Sequence, residues 1–489
     1  MNAPQAPLDD ARLSALREAV GAAHVLHGQQ LDASLQARHL RDWRGRYQGQ
    51  CLAIVSPGST KETQHIVRLC AAWGWPIVPQ GGNTSLVGGS VPDGSGQQVL
   101  LHLGRLNKVR HLDAHNFTLT VEAGCTLDHA RQHAADAGML YPLSLASGGQ
   151  CTIGGTLATN AGGTQVLRYG TARELCLGLE VVTASGACWS ELSGLRKNNT
   201  GYDLRDLFIG SEGTLGIITA ATLKLFPAPQ GCGTALLSCP DAQSAVALLS
   251  LARQTLDAGL VAFEAIESQA LQLVQQHLPH MARAWPSASA TTGAASPWLI
   301  LMEHQGPQDQ THIDGELGRL MAHAQAKGLL TEAIMAHTVA QRQAMWQLRE
   351  SIPLAEKTEG LMVKHDIGLP TSAIPSWLAQ CGTALRARWP DCRIVCFGHL
   401  GDGNLHYNVQ PPQTLRSGPP WARFENDVND IVFDLVQAHG GTISAEHGIG
   451  ALRREALAAR APAEALPLMR AIKQALDPAC LLNPGRLLA

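Results

Sequence analysis

The chain has 489 residues, of which 45% are hydrophobic and 16% charged, with 49 glycines and 26 prolines. That composition belongs to a globular protein rich in tight turns, not to a disordered one, and the length predicts roughly three domain-sized units. A formal charge of −3, with no basic run longer than a pair such as Arg453-Arg454, excludes a nucleic-acid footprint.

The opening MNAPQAPLDDARLSALREAV lacks an apolar core between a basic start and a cleavage site, so a signal peptide is not expected. Apolar runs such as WLILM at 298–302 are far short of a membrane span. Twelve cysteines without a C-x-x-C pair read as buried thiols of a reducing cytoplasm, Cys392 and Cys396 included. Residues 8–45 read as helical, with apolar positions at Leu13, Leu16 and Val20. CLAIVS (51–56) then reads as a buried strand. Ser59 and Glu62 have the spacing of a capping box opening a helix to Trp73, and PIVP (76–79) is the next strand. Short strands dominate 100–225, and the Pro-x-Pro at 227–229 marks a domain boundary. Helical and strand-like segments alternate over 233–380, with an Ala/Ser-rich surface loop at 284–296. A helix is expected at about 421–438 and another in the tail from 451.

Three glycine-rich segments fall in the first half: PQGGNTSLVGG (79–89), SLASGGQCTIGGTLATNAGG (144–163) and NNTGYDLRDLFIGSEGTLGIIT (198–219). Glycines let backbone N–H groups converge on an anion. The first segment follows a strand but leads into another loop, so it is not a Rossmann fingerprint, and it lacks Gly-Lys-Ser/Thr. Singly, each could be a surface turn. Three in one domain-sized stretch favour a large planar, phosphate-bearing dinucleotide, which backbone approaches closely only where side chains are small.

In CFGHLGDGNLHYNV (396–409), His399 and His406 flank Gly-Asp-Gly-Asn. With Asp402 and Gly403 as a two-residue turn, Gly401 opposes Asn404, Leu400 opposes Leu405 and His399 opposes His406. Asn408 points the same way, and the cluster suits a divalent metal such as zinc. The alternative is two surface histidines beside a turn. GGTISAEHGIG (440–450) offers Glu446 and His447, and a carboxylate there would complete a site with an open position. Arg349 in MWQLRE can pair bidentately with a carboxylate, and Lys364 in MVKHDIGLP lies on a strand between apolar residues. Alone, they read more readily as an exposed helix arginine and a snorkelling lysine.

The strings GGNTSLVGG, CTIGGTLATNAGG, RYGTARELCLGLEVV and GYDLRDLFIGSEGTLGIIT resemble the FAD-binding domain of the vanillyl-alcohol oxidase (PCMH-type) flavoproteins. WQLRE, VKHDIGLP, GHLGDGNLHYNV, ISAEHGIG and LLNPGR resemble the branch containing D-2-hydroxyglutarate dehydrogenase, D-lactate dehydrogenase and the glycolate oxidase flavin subunit. The resemblance implies an α+β fold: a PCMH-type FAD-binding domain of two α/β subdomains at 46–229, and a cap (substrate) domain at 230–450 on an antiparallel sheet with flanking helices. A helical segment at 1–45 precedes them, and a C-terminal helical segment at 451–489 returns to the FAD domain.

By the same resemblance, FAD is held by Pro79, Gly81, Gly82, Asn83, Thr84, Ser85, Gly88 and Gly89. Ser147, Gly148, Cys151, Ile153, Gly154, Gly155, Ala158, Asn160, Gly162 and Gly163 continue the site, and Glu212, Gly213, Gly216, Ile217, Ile218 and Asn483 complete it. Asn83 stands where covalently flavinylated relatives have histidine, so non-covalent FAD is expected. His399, His406 and Glu446 are implied as metal ligands (zinc) and His447 as catalytic base and substrate contact. Arg349, Lys364 and Asn408 are implied to bind substrate. Relatives acting on D-2-hydroxyglutarate often carry a hydroxyl residue four past the arginine; here Pro353 offers neither hydroxyl nor N–H. The expected reaction is oxidation of a D-2-hydroxy acid (D-2-hydroxyglutarate, D-malate or D-lactate type), with electrons passing to an electron-transferring flavoprotein, a quinone or a cytochrome. A homodimer fits this reading. The alternatives are a glycolate or D-lactate oxidase flavin subunit of a larger complex, a direct oxidase, and a non-catalytic flavin- or metal-binding module.

Overall fold

The computed structural model describes residues 7–285 and 297–488, so most of the expected surface loop at 284–296 lies outside the described residues. The chain divides into two units. Unit 1 comprises Met1–Gly163, Gly170–Ala228 and Glu446–Ala489; unit 2 comprises Thr164–Tyr169 and Pro229–Ala445.

In unit 1 the N-terminal stretch is not one helix, contrary to expectation. A helix over Asp10–Val20, capped by Asp9, stops at Gly21, where φ is +89°. Val25–Leu26 then forms a short strand because it pairs antiparallel with Val55 and Ile54, and a second helix spans Ala33–His39. Cross-strand pairing thus overrides local helix preference. The Ala53–Val55, Val99–His102 and Ile77–Gln80 strands complete a four-stranded sheet with parallel pairings. Between two of them runs the Thr60–Trp73 helix: Ser59 Oγ accepts from Glu62 N–H, and Gly74 ends it in left-handed backbone. Its apolar face buries Ile66, Val67 and Cys70 against the sheet. A five-stranded antiparallel sheet runs Val109–Asp113, Thr118–Glu122, Ile217–Lys224, Cys176–Val182, Cys188–Glu191. The tail holds helices at Arg454–Arg460 and Ala465–Leu476. The chain re-enters unit 1 at Glu446, ahead of the expected boundary after Gly450.

Unit 2 is built on a seven-stranded antiparallel sheet in the order Glu332–Met335, Gly231–Cys239, Trp298–Gly306, Leu260–Glu267, Arg393–His399, Asn404–Gln410, Val363–Gly368. One face packs on the Ser268–His277, Val339–Glu350 and Ile352–Glu359 helices through Leu236, Ile266, Leu301, Val395 and Phe397, with Met345, Leu348, Ile352 and Ala355 opposite. The other face carries the Ala242–Leu256 and Gln310–Ala326 helices and, at the far edge, Gly418–Ala438. Alternation along each strand places the apolar residues of the first face in line with a polar group at one end of it.

Candidate active site

The 396–409 segment is a hairpin, with a register that corrects the expectation. His399 opposes Asn404, Phe397 opposes His406 and Val395 opposes Asn408. The loop is four residues, Leu400–Gly403, not two. Asp402 N–H reaches His399 O, Gly403 N–H reaches Leu400 O, and Gly401 N–H is drawn to Phe263 O on the neighbouring strand. Gly403 has φ +86°, and a β-carbon there would lie 2.1 Å from Leu369 O. The two-residue turn was wrong, yet its consequence survives. Lengthening the loop by two keeps the parity of the strands, whereas a slip of one would have turned His406 to the other face. His399 and His406 are diagonal neighbours on one face, their rings edge-to-face with centroids 5.6 Å apart.

Cross-strand register carries that face outward. Asp366 opposes His406 and Lys364 opposes Asn408 on the edge strand. On the inner side, Ile266 opposes Phe397, so Glu264, two residues along, shares the face. Two helices lower polar groups onto it. The Val339–Glu350 helix, opened by a Thr338/Gln341 capping box, carries Arg349, only 6% exposed. Arg349 Nε donates to Glu264 Oε2 at 2.9 Å, and the guanidinium lies over the Phe397 ring. Glu264 Oε1 accepts from His399 Nδ1 at 2.7 Å. The next helix begins at Ile352 because Ser351 ends its predecessor; Pro353 fits this first turn, where a missing N–H costs no helix bond. That helix delivers Glu356, 1% exposed, whose oxygens accept from Lys364 Nζ at 2.7 Å and Asn408 Nδ2 at 2.6 Å. Asp366 is fully buried and accepts from Asn404 Nδ2 at 2.8 Å; its Oδ1 lies 3.9 Å from His406 Nδ1.

Unit 2 therefore brings together Arg349, Lys364, His399, His406 and Asn408. Sequence reasoning missed Glu264, Glu356 and Asp366. For Glu264 the signal available was a carboxylate in the middle of the otherwise apolar run LVAFEAI, since a charge buried in a sheet needs a partner.

Unit 1 holds the remaining predicted residues. Glu446 Oε2 accepts from Gly163 N–H at 3.3 Å, and His447 Nε2 lies 3.7 Å from Glu446 Oε1. The 79–89 and 147–155 loops lie against each other. A β-carbon on Gly82 would come within 2.0 Å of Gln150 O, and Gln150 Nε2 donates to Gly82 O. Pro79 precedes this loop at the strand end, and Gly154, in the Ile153–Ala158 helix capped by Thr152, donates to Ala123 O. Asn83, Asn160, Glu212 and Asn483 all have positive φ, a conformation uncommon for non-glycine residues. Glu212 accepts from the Ile449 and Gly450 amides at 2.8 and 2.7 Å; burial pushes its carboxyl up, and these two bonds oppose the rise. Gly216, Ile217 and Ile218 lie at the start of a central strand, the isoleucines buried in the sheet.

Comparison with known proteins agrees with this layout. The family described as "FAD linked oxidases, C-terminal domain" matches residues 228–487, and "FAD binding domain" matches 51–190. The chain belongs to the FAD-linked oxidase family. D-2-hydroxyglutarate dehydrogenase of Xanthomonas citri pv. viticola is 37% identical over 484 residues, 98% of this chain and 97% of that protein. The mitochondrial D-2-hydroxyglutarate dehydrogenase of Arabidopsis thaliana is 34% identical, over 98% of this chain and 82% of that one. Among solved structures, p-cresol methylhydroxylase with substrate bound superposes with a TM-score of 0.76 at 17% identity, covering 100% of this chain and 98% of that one. At that identity the likeness speaks for the fold: the PCMH-type architecture expected from the sequence is present.

The residues of this FAD-linked oxidase fit the groups the family implies. Among the described residues, nothing accepts from the backbone N–H groups of Gly82, Asn83, Thr84 and Ser85, consecutive donors suited to a pyrophosphate. Asn483 donates its amide to Gly89 O and Glu212 O, leaving its buried Oδ1 without a partner among the described residues. Its carbonyl can therefore take a donor from a flavin. For a metal, His399 offers one suitable ring nitrogen. With Nδ1–H donated to a carboxylate, the neutral ring carries its lone pair on Nε2, the tautomer found where imidazole ligates a divalent ion. No helix among the described residues is long and apolar enough to cross a membrane.

Proposed function

We propose that the chain is an FAD- and divalent-metal-dependent dehydrogenase that oxidises a D-2-hydroxy acid to the 2-oxo acid. One observation carries the reading. A single sheet face gathers Arg349, Lys364, Asn408, His399 and His406, in a chain aligned almost end to end with relatives named D-2-hydroxyglutarate dehydrogenase.

The oxidation removes a proton from the hydroxyl and a hydride from the α-carbon, leaving a carbonyl. Bound FAD supplies the acceptor for the hydride, and a divalent ion, zinc by its donor set, supplies Lewis acidity toward the hydroxyl and carboxylate. His399, His406 and Glu446 are the residues proposed to hold that ion. Arg349 binds the carboxylate: Nε is committed to Glu264, which leaves the two terminal nitrogens for a bidentate pair. Lys364 and Asn408, fixed by Glu356, bind the substrate's polar groups. His447 takes the hydroxyl proton, the task of an imidazole acting as general base. FAD would be held non-covalently, and an electron-transferring flavoprotein, a quinone or a cytochrome would accept the electrons. The proposed setting is the cytoplasm, where all twelve cysteines, free thiols here, stay reduced.

Pro353 favours a second reading of the substrate. With neither side-chain hydroxyl nor N–H at that helix start, this residue gives a distal carboxylate no contact, which suits D-malate or D-lactate as well as D-2-hydroxyglutarate. The test is anaerobic mixing of the flavin-loaded protein with each acid, with and without a chelator. Bleaching by one of them, lost with chelator, is expected. If none bleaches the flavin the proposal falls, and bleaching indifferent to chelator removes the metal from it.

A further inference from the structure

Glu264 lies in an apolar strand, 1% exposed, with an oxygen on each of two groups from different elements. Oε1 takes His399 Nδ1 from the hairpin strand at 2.7 Å, and Oε2 takes Arg349 Nε from the overlying helix at 2.9 Å. We infer that Glu264 is a positioning residue serving both halves of the site: it fixes the His399 tautomer for metal binding and aims Arg349 at the substrate carboxylate. The inference rests on the metal-dependent reading above and assigns a role to a residue that touches neither ligand.

Stability alone accounts poorly for this carboxylate. Burying an ion pair contributes little net stability, because desolvation offsets the attraction. The Val339–Glu350 helix is already docked without it. Met345 and Leu348 pack into the core, and Trp346 Nε1, one turn from Arg349, donates to Glu303 Oε2 at 2.8 Å. Glu303 sits on the same sheet face, opposite Ala262. With the helix held by that bond, what Glu264 adds is orientation. A carboxylate only accepts, so both nitrogens facing it donate, and in the neutral ring His399 Nε2 is then the acceptor. The Phe397 ring, under the guanidinium and opposite His406, walls the same space.

The chemistry singles out Glu264→Gln. An amide can accept from Arg349 or from His399, but its NH2 then faces the other donor. Relief comes from moving the imidazole proton to Nε2, the atom needed for metal. The flavin-loaded full chain would be titrated with Zn2+ against a chromophoric chelator, and KM measured for whichever D-2-hydroxy acid is turned over. In Glu264→Gln the Zn2+ affinity should fall about 10- to 100-fold, and KM should rise with it. Glu264→Asp, which keeps the charge and draws it back by one methylene, should restore part of both. Lys364→Met should raise KM and leave Zn2+ affinity unchanged. Unaltered Zn2+ affinity in Glu264→Gln, or lost affinity with unaltered KM, overturns the inference. If Glu264→Gln loses its flavin, the aspartate variant decides, and wild-type values there overturn it equally. Wild-type protein that binds no Zn2+ sinks the metal reading itself; wild type that binds while Glu264→Gln binds equally sinks only this step.

Discussion

Lys364 Nζ lies 2.7 Å from Oε2 of Glu356, a carboxylate whose other oxygen takes the Asn408 amide. The lysine is partly exposed and the glutamate is not. Lys364→Met should raise KM for the hydroxy acid roughly tenfold or more through loss of a charge-assisted contact, with the flavin spectrum unchanged. Glu356→Gln should lose roughly 1–3 kcal/mol of stability, since it leaves buried donors poorly matched. Steady-state kinetics with an artificial acceptor and urea unfolding separate the two. An unchanged KM in Lys364→Met would remove that residue from the substrate site.

Gly403 is expected to tolerate no side chain. Its positive φ and the nearness of Leu369 O imply that Gly403→Ala costs roughly 1–3 kcal/mol. The urea midpoint should fall at constant slope, and activity should fall with it as the hairpin shifts His399 against His406. A variant with wild-type midpoint would show that the loop can take another course.

Asn483→Gly keeps the left-handed backbone at φ +44° and removes only the amide. The variant should fold, and on dialysis it should release flavin that the parent retains, read from the ratio of flavin to protein absorbance. Equal retention would leave the unpartnered Oδ1 without a role in holding the cofactor.

Glu359 supplies a pH dependence. The His277 hydrogen bond at 2.7 Å, with help from Gln410 and Arg393 and against a burial effect, holds its carboxyl below the usual 4.5. A carboxyl lowered in the folded state stabilises above its unfolded value, and that contribution is lost as pH falls through the folded value. Stability should therefore decline below about pH 4.5, and the decline should be shallower in Glu359→Gln. Parallel curves for the two proteins, from urea midpoints across the acid range, would exclude Glu359 as a contributor.

Much of the site was legible because its chemistry is carried by short strings with strong local geometry. Gly-Asp-Gly-Asn between two apolar strands announces a hairpin, and parity places His399 and His406 on one face for any even loop. What strings could not supply was loop length, set here by Gly401 reaching across to Phe263 O. Nor could they supply Glu264 and Glu356, whose partners lie far away in sequence, on elements that only tertiary packing brings together. Val25–Leu26 escaped for the same reason, being a strand only because Ile54 and Val55 offer it an edge.

Ile77 gives its N–H to Leu481 O and takes Asn483 N–H on its own carbonyl, so the parallel sheet of unit 1 is completed by residues made almost a whole chain later. On the ribosome the Ile77 edge of that sheet stays open until Leu481 and Asn483 are made, after the interior unit has emerged. A nascent chain halted before Leu481 would hold every strand of the unit 2 sheet and lack the residues that close the parallel sheet of unit 1.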